Sequence, residues 1–162
     1  MEIMIVEDDT ITRRLLEKIV ADLGHGVVVA ENGREAWERY QRNPVQVVIT
    51  DWMMPEMDGL ELCRRIRSNA SDHYGYLITL TSRAQKNDLL QVFESGADDY
   101  IAKPFDPEEL KARIKTSERI VKLESRHRSL QRTLIESRNK VRVVFDSCLL
   151  YTSPSPRDHL LH

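Results

Sequence analysis

The stretch that decides the fold is VQVVITDWMMPEMDG, residues Val45–Gly59. Its first half is apolar at most positions, which is typical of a strand buried on both faces of a sheet. The apolar run ends at Asp51, and a loop containing Pro55 and Asp58-Gly59 follows. The rest of the sequence has to explain why a buried strand ends in a carboxylate.

Short apolar runs and helical patterns alternate along the chain on both sides of this stretch. The runs cover residues 3–6, 27–30, 45–50, 76–80 and 98–101. The predicted helices begin at Thr10, Asn32-Gly33, Asp58, about Ala84 and Asp106-Pro107, which are mostly residues that favour helix starts. Strands this apolar cannot face water on either side. The pattern therefore predicts a three-layer α/β fold, with helices on both faces of a parallel sheet.

Polar residues follow the strands at their carboxyl ends, where sheets of this kind bind ligands. Close carboxylates repel each other unless a cation offsets their charge, and Mg²⁺ prefers oxygen ligands while keeping positions open for phosphate oxygens. A carboxylate can also attack phosphorus. The residues concerned are Glu7, Asp8 and Asp9 on the first strand, Asp51 on the third, Thr81 and Ser82 on the fourth, and Tyr100 and Lys103 on the fifth.

These residues predict a phosphoryl-transfer site. Asp51 is the predicted acceptor, the backbone carbonyl of Met53 is a further candidate ligand for the metal, and Lys103 would neutralise charge on the phosphoryl group.

Four segments together resemble the receiver domain of two-component response regulators, over about residues 1–120. They are IMIVEDD (3–9), VVITDWMMPEMDG (47–59), LITLTS (77–82) and DDYIAKPF (98–105). The resemblance implies a flavodoxin-like doubly wound (βα)5 fold with sheet order 2-1-3-4-5. It also implies that a sensor histidine kinase or phosphotransfer protein donates the phosphoryl group, and that the face made by the fourth helix, fifth strand and fifth helix transmits the signal.

The resemblance assigns a role to each matching residue. Glu7 and Asp8 would bind Mg²⁺ together with Asp51, the phosphoacceptor, and Asp9 would be a solvated loop acid. The Thr81 hydroxyl would follow the phosphoryl group on activation, and Tyr100 would be the switching aromatic. Lys103 would contact the phosphoryl group and precede a cis bond to Pro104. Met53 and Arg83 would flank the acyl phosphate and tune its lifetime.

Two other classes of function fit the sequence less well. An aspartyl-phosphate phosphatase acting on outside substrates would need a second acid at the position of Met53. A flavin- or nucleotide-binding module would need a glycine-rich loop after the first strand, where Glu7-Asp8-Asp9 stands instead. The sequence therefore favours a signalling module without enzymatic action on other molecules, and a stand-alone receiver that acts only by binding proteins remains an alternative.

The C-terminal part of the chain predicts a long basic helix. Residues 1–110 hold 21 acidic and 12 basic side chains, a net charge of −9, whereas residues 111–143 hold 3 and 11, a net charge of +8. No aromatic residues interleave the basic ones, so we expect a solvated helix face rather than nucleic-acid binding. A spacing of three and four residues favours a coiled coil and a homodimer, with a helix packed back on the receiver as the alternative. The residues with this spacing are Ile120, Leu123, His127, Leu130, Leu134, Ser137, Val141 and Val144.

The last residues change character. Residues 136–147 resemble the lead-in to a PAS domain, and CLLYTSPSPRD (148–158) resembles the translation of a transposon-end adapter used in sequencing libraries. We therefore expect a receiver over residues 1–120, a helical linker over 121–145 and a disordered, non-native tail over 146–162, with an output domain missing. A genuine Pro/Ser-rich disordered tail is the alternative.

The composition predicts a cytoplasmic protein. No run approaches the roughly 18 apolar residues of a membrane span, and the N-terminus lacks the features of a signal peptide. The two cysteines, Cys63 and Cys148, fit neither a disulfide framework nor a zinc site, which is typical of a reducing compartment.

Overall fold

The computed structural model describes residues 1–69 and 73–152, the last four of these by their backbone only. Five strands alternate with five helices along the chain. The elements are β1 (Glu2–Val6), α1 (Thr10–Asp22), β2 (Gly26–Ala30), α2 (Gly33–Arg42), β3 (Val47–Asp51), α3 (Gly59–Ser68), β4 (Tyr76–Thr81), α4 (Lys86–Glu94), β5 (Asp99–Ala102) and α5 (Pro107–Thr152).

All strand pairings are parallel, and the strand order is β2-β1-β3-β4-β5, which confirms the predicted fold class and topology. Successive residues of a strand point to opposite faces, so β1 supplies Ile3 and Ile5 to one core cluster and Met4 and Val6 to the other. Helices α1 and α5 complete the first cluster, whereas α2, α3 and α4 complete the second. Burial on both faces is why the strands are so apolar.

The helix starts agree with the sequence prediction at α2 and α3 and differ at α1. The side chains of Asn32 and Asp58 accept hydrogen bonds from backbone N–H groups in the first turns of α2 and α3. The predicted cap of α1 is wrong, because Asp9 rather than Thr10 fills that position. Asp9 accepts from the N–H of Thr12 at 2.9 Å and from its hydroxyl at 2.6 Å. Asp9 is therefore a helix cap as well as an exposed acid, since carboxylates stabilise helix N-termini.

Helix α5 is longer than predicted. It continues to Thr152, whereas the sequence predicts helix only as far as residue 145. The chain has no glycine or proline between Pro107 and Pro154, so no residue in this span breaks the helix. Residues 146–152 of the expected disordered tail are thus helical, and residues 153–162 lie outside the described residues.

The chain divides into two compact units, Met1–Leu123 and the residues from Glu124 onward. In the first unit, the early turns of α5 bury Leu110 and Ile114 against the sheet. The division into a receiver over 1–120 and a linker over 121–145 stays a prediction. None of the helices within residues 1–69 and 73–152 combines the length and apolarity that crossing a bilayer requires.

Candidate functional site

The acidic residues predicted to form a site lie together at the carboxyl ends of β1 and β3. These strands are neighbours, so Glu7, which directly follows β1, lies beside Asp51, the last residue of β3. One carboxylate oxygen each from Glu7, Asp8 and Asp51 lie within 4.8 Å of one another. Glu7 and Asp51 are buried, and Asp8 is exposed. The cluster is therefore open to solvent on the side of Asp8.

Lys103 from the loop after β5 joins this acidic cluster. Its Nζ lies 3.1 Å from Asp51 Oδ1 and 3.1 Å from Glu7 Oε2. The backbone N–H of Lys103 donates to the carbonyl of Thr81 at 2.7 Å, which fixes the loop to the end of β4. The Lys103-Pro104 peptide bond is cis, as the resemblance predicts. One ammonium group thus pairs with two carboxylates that come from different strands.

The charges of the cluster are not balanced within the protein. Burial raises the pKa of Glu7 to about 7, and repulsion from Asp51 adds to this, although the N–H of Asp9 and the ammonium of Lys103 oppose it. Burial alone would lower the pKa of Lys103, but attraction to Asp51 and Glu7 outweighs burial and raises it. Three carboxyl groups and one ammonium make an oxygen-rich, electronegative pocket. This donor set fits a hard divalent cation such as Mg²⁺, and receiver domains typically bind that ion.

Two other predicted site residues, Thr81 and Tyr100, make their contacts with residues outside the acidic cluster. The hydroxyl of Thr81 is buried, donates to the carbonyl of Arg83 at 2.8 Å and accepts from the N–H of Arg83 at 2.9 Å. The ring of Tyr100 is half-buried and packs edge-to-face with the Phe93 ring at a centroid distance of 5.9 Å. The Thr81 hydroxyl is therefore bonded to the loop after β4, and the Tyr100 ring packs against α4.

The loop after Asp51 explains the Asp-Gly pair in the opening stretch. The N–H of Gly59 donates to the carbonyl of Trp52 at 2.8 Å, and a Cβ at Gly59 would lie 2.1 Å from the backbone oxygen of Asp51. Only glycine allows this approach. Trp52 is buried, whereas the side chain of Met53 is 49% exposed.

Sequence reasoning missed the contacts of two arginines. The guanidinium of Arg83 lies 5.5 Å from the ring centroid of Trp52 and 3.9 Å from Asp88. The guanidinium of Arg13 donates to the backbone carbonyl of Glu7 at 3.0 Å. Neither contact leaves a signal in the sequence, since each joins residues through geometry that only the folded loops define.

The sequence model of the response regulator receiver domain family matches residues 3–115. A chemotaxis protein CheY homolog from Campylobacter jejuni is 37% identical over 116 residues, which cover 70% of this chain and 89% of that protein. The transcriptional regulatory protein SrrA from Staphylococcus aureus is 38% identical over 114 residues, which cover 70% of this chain and 46% of SrrA.

Solved structures also superpose on this chain. Chemotaxis protein CheY4 from Vibrio cholerae superposes with a TM-score of 0.65 at 29% identity, over 73% of this chain and 96% of that one. A probable two-component response regulator with a GGDEF domain superposes with a TM-score of 0.70 at 26% identity, over 75% of this chain and 50% of that one. The family model matches more than half of the chain, and the chain belongs to the response regulator receiver domain family.

Proposed function

We propose that this chain is the phosphoacceptor module of a two-component system, and that Asp51 accepts the phosphoryl group from a histidine of a sensor kinase or phosphotransfer protein. The observation that carries the proposal is the contact of 3.1 Å between Lys103 Nζ and Asp51 Oδ1, inside a cluster of acids at the sheet edge. A carboxylate in this setting is ordered by the ammonium group and reachable through the exposed side of the cluster.

The proposed transfer is a displacement at phosphorus. A carboxylate oxygen of Asp51 forms a bond to phosphorus, the bond from phosphorus to the histidine nitrogen breaks, and that nitrogen keeps the electron pair and takes up a proton. Hydrolysis later returns the carboxylate: a water oxygen bonds to phosphorus, the bond to Asp51 breaks, and inorganic phosphate leaves. Lys103 would hold its charge beside the phosphoryl oxygens throughout.

The proposed ligands of Mg²⁺ are the carboxylates of Glu7, Asp8 and Asp51 and the backbone carbonyl of Met53. A bound divalent cation would neutralise charge on the phosphoryl oxygens and on the crowded carboxylates. Burial and Asp51 raise the pKa of Glu7 to about 7, and attraction to the bound cation would lower it and favour the ionised form near neutral pH.

The proposed output runs through Thr81 and Tyr100 to the face of α4, β5 and α5. The Thr81 hydroxyl would exchange its bond with the Arg83 carbonyl for one with a phosphoryl oxygen, and the ring of Tyr100 would respond by moving against Phe93. Leu90 and Phe93 are 51% and 47% exposed on α4, so this face offers apolar contacts to a partner.

We place the module in the cytoplasm, where sensor kinases present their phosphorylated histidines. We assign it no nucleic-acid contact and no action on outside substrates.

The proposal is tested by incubating the chain with Mg²⁺ and acetyl phosphate and measuring phosphorylated protein on a phosphate-affinity gel. We expect one hydroxylamine-sensitive phosphoryl group, no phosphorylation of Asp51→Asn, and none when a chelator removes the metal. Asp9→Asn is the matched control, because it removes a neighbouring acid while asparagine still caps α1. Equal phosphorylation of Asp51→Asn and the unchanged chain would overturn the assignment.

A further inference from the structure

A row of exposed, mostly apolar side chains runs along α5 at alternating spacings of three and four residues. We call it the α5 seam, and its members are Leu123, His127, Leu130, Leu134, Ser137, Val141 and Val144. Its five apolar side chains are between 58% and 68% exposed. Ile120, which the sequence pattern includes, is partly buried against the core, so the exposed seam begins at Leu123.

We propose that the α5 seam pairs with the α5 seam of a second copy of this chain, in a parallel, two-stranded coiled coil with the two copies in register. This inference adds a partner, an orientation and a register to the proposed function and does not depend on it. The seam repeats every 3.5 residues, which is the period that keeps one stripe of a helix against a second helix. It spans residues 123–144, or about 33 Å of helix, which is the three heptads that such pairing needs.

The charges beside the seam select the parallel orientation. Arg119, Arg126 and Lys140 share one flank of the seam, and Glu124 and Arg138 lie on the other. A parallel pair places opposite flanks together, so Arg119 of each copy meets Glu124 of the other. An antiparallel pair would place the basic flank against itself. The repulsion between Arg126 and Lys140 would then offset the attraction between Glu124 and Arg138, whereas the parallel pair opposes no like charges. Within the part of the chain that the structure describes, neither Arg119 nor Glu124 forms an ion pair of its own.

The two polar members of the seam select the register. In a register-matched pair His127 faces His127, and Ser137 faces Ser137, so polar groups can bond to each other or to water. A shift by one heptad would place His127 against Leu134 and bury an imidazole without a polar partner, which is costly. A single polar residue in an apolar seam commonly fixes register in this way, at the expense of some affinity.

The test of orientation and register is a pair of cysteine variants of the full chain, in a Cys148→Ser background. Ser137→Cys places a thiol in the seam, and its matched control Asn139→Cys places one on the opposite side of the same turn. Mild oxidation is expected to cross-link the Ser137→Cys chain into a disulfide-bonded dimer at a rate at least about tenfold above that of Asn139→Cys. Equal rates for the two variants would overturn the parallel, in-register pairing.

The test of association is sedimentation of the full chain over a range of concentrations. We expect a monomer–dimer equilibrium, a dissociation constant at least about tenfold larger for Leu134→Glu, and no change for Asn139→Glu. Phosphorylation at Asp51 should be unaffected by Leu134→Glu, so failure here and failure of the proposed function are distinguishable. A monomer at all concentrations, or a chain that instead binds vesicles of anionic lipid through its basic residues, would overturn the proposal.

Discussion

Lys103 is the residue whose contacts tie the acidic cluster together. It meets Asp51 and Glu7 at equal distances of 3.1 Å, so its removal leaves two neighbouring carboxylates without their shared cation. We expect Lys103→Gln to slow phosphorylation by acetyl phosphate about 100-fold, because a positioned charge is lost where charge develops in the transition state. The control is Lys111→Gln, whose ammonium pairs with Glu108 on the surface of α5 at 3.2 Å. A rate equal to that of the unchanged chain would contradict this role of Lys103.

Glu7 makes the metal-free protein sensitive to pH. Its pKa is about 7 when folded and 4.5 as the ordinary value, so the folded chain holds a proton that the unfolded chain has already released. The contribution of Glu7 to the free energy of unfolding is therefore highest below about pH 4.5 and falls as the pH rises to about 7. Between pH 5 and 8 we expect a loss of about 2 kcal/mol in the presence of a chelator.

Urea unfolding at pH 5 and pH 8 measures this dependence. Glu7→Gln has no titrating group at position 7. The fall in its free energy of unfolding between pH 5 and pH 8 should therefore be smaller by most of the loss predicted for the unchanged chain. Mg²⁺ should stabilise the unchanged chain more at pH 8 than at pH 5. Identical pH profiles for the two proteins would show that Glu7 titrates normally.

The caps of the helices give a prediction that involves no catalysis. Asp58 accepts the N–H of Glu61 at 2.8 Å and begins α3, whereas Gln85 at the same position of α4 makes no side-chain bond to the backbone. Asp58→Ala should therefore lower the free energy of unfolding by about 1 kcal/mol, and Gln85→Ala should leave it nearly unchanged. Chemical denaturation of both variants makes the comparison, and equal losses would argue against the cap.

Elements were predictable where the sequence carries a local signal. Apolar runs bounded by caps located all five strands and the starts of α2 and α3, because burial on both faces and capping act through neighbouring residues. The cap of α1 was mistaken because Asp9 and Thr10 are both good caps, and only the hydrogen bonds to Thr12 decide between them.

The candidate site was predictable in its members but not in its contacts. A parallel sheet brings strand ends together whatever the loops do, so Glu7, Asp51 and Lys103 could be grouped from the sequence. The cation–π contact of Arg83 with Trp52 and the bond from Arg13 to Glu7 depend on loop geometry. Helix α5 extends to Thr152 because no glycine or proline interrupts it before Pro154. A search for apolar patterns does not detect the absence of such helix-breaking residues.

The two compact units predict that phosphorylation and dimerisation depend on different parts of the chain. The acidic cluster, Lys103 and both core clusters lie within Met1–Leu123. A chain ending at Leu123 should therefore unfold cooperatively and accept a phosphoryl group at the rate of the full chain, while sedimenting as a monomer at every concentration. Thermal unfolding, phosphorylation and sedimentation of the shortened chain test this. A shortened chain that fails to fold would show that the later turns of α5 stabilise the first unit.

The central claim is that Asp51 carries the phosphoryl group, and mapping the modified residue tests it most directly. The chain is phosphorylated with acetyl phosphate and Mg²⁺, reduced with borohydride, digested and sequenced by mass spectrometry. Reduction of an aspartyl phosphate yields homoserine, so we predict homoserine at position 51 and aspartate at positions 8, 9 and 58. Homoserine at one of those other positions, with aspartate intact at 51, would contradict the account.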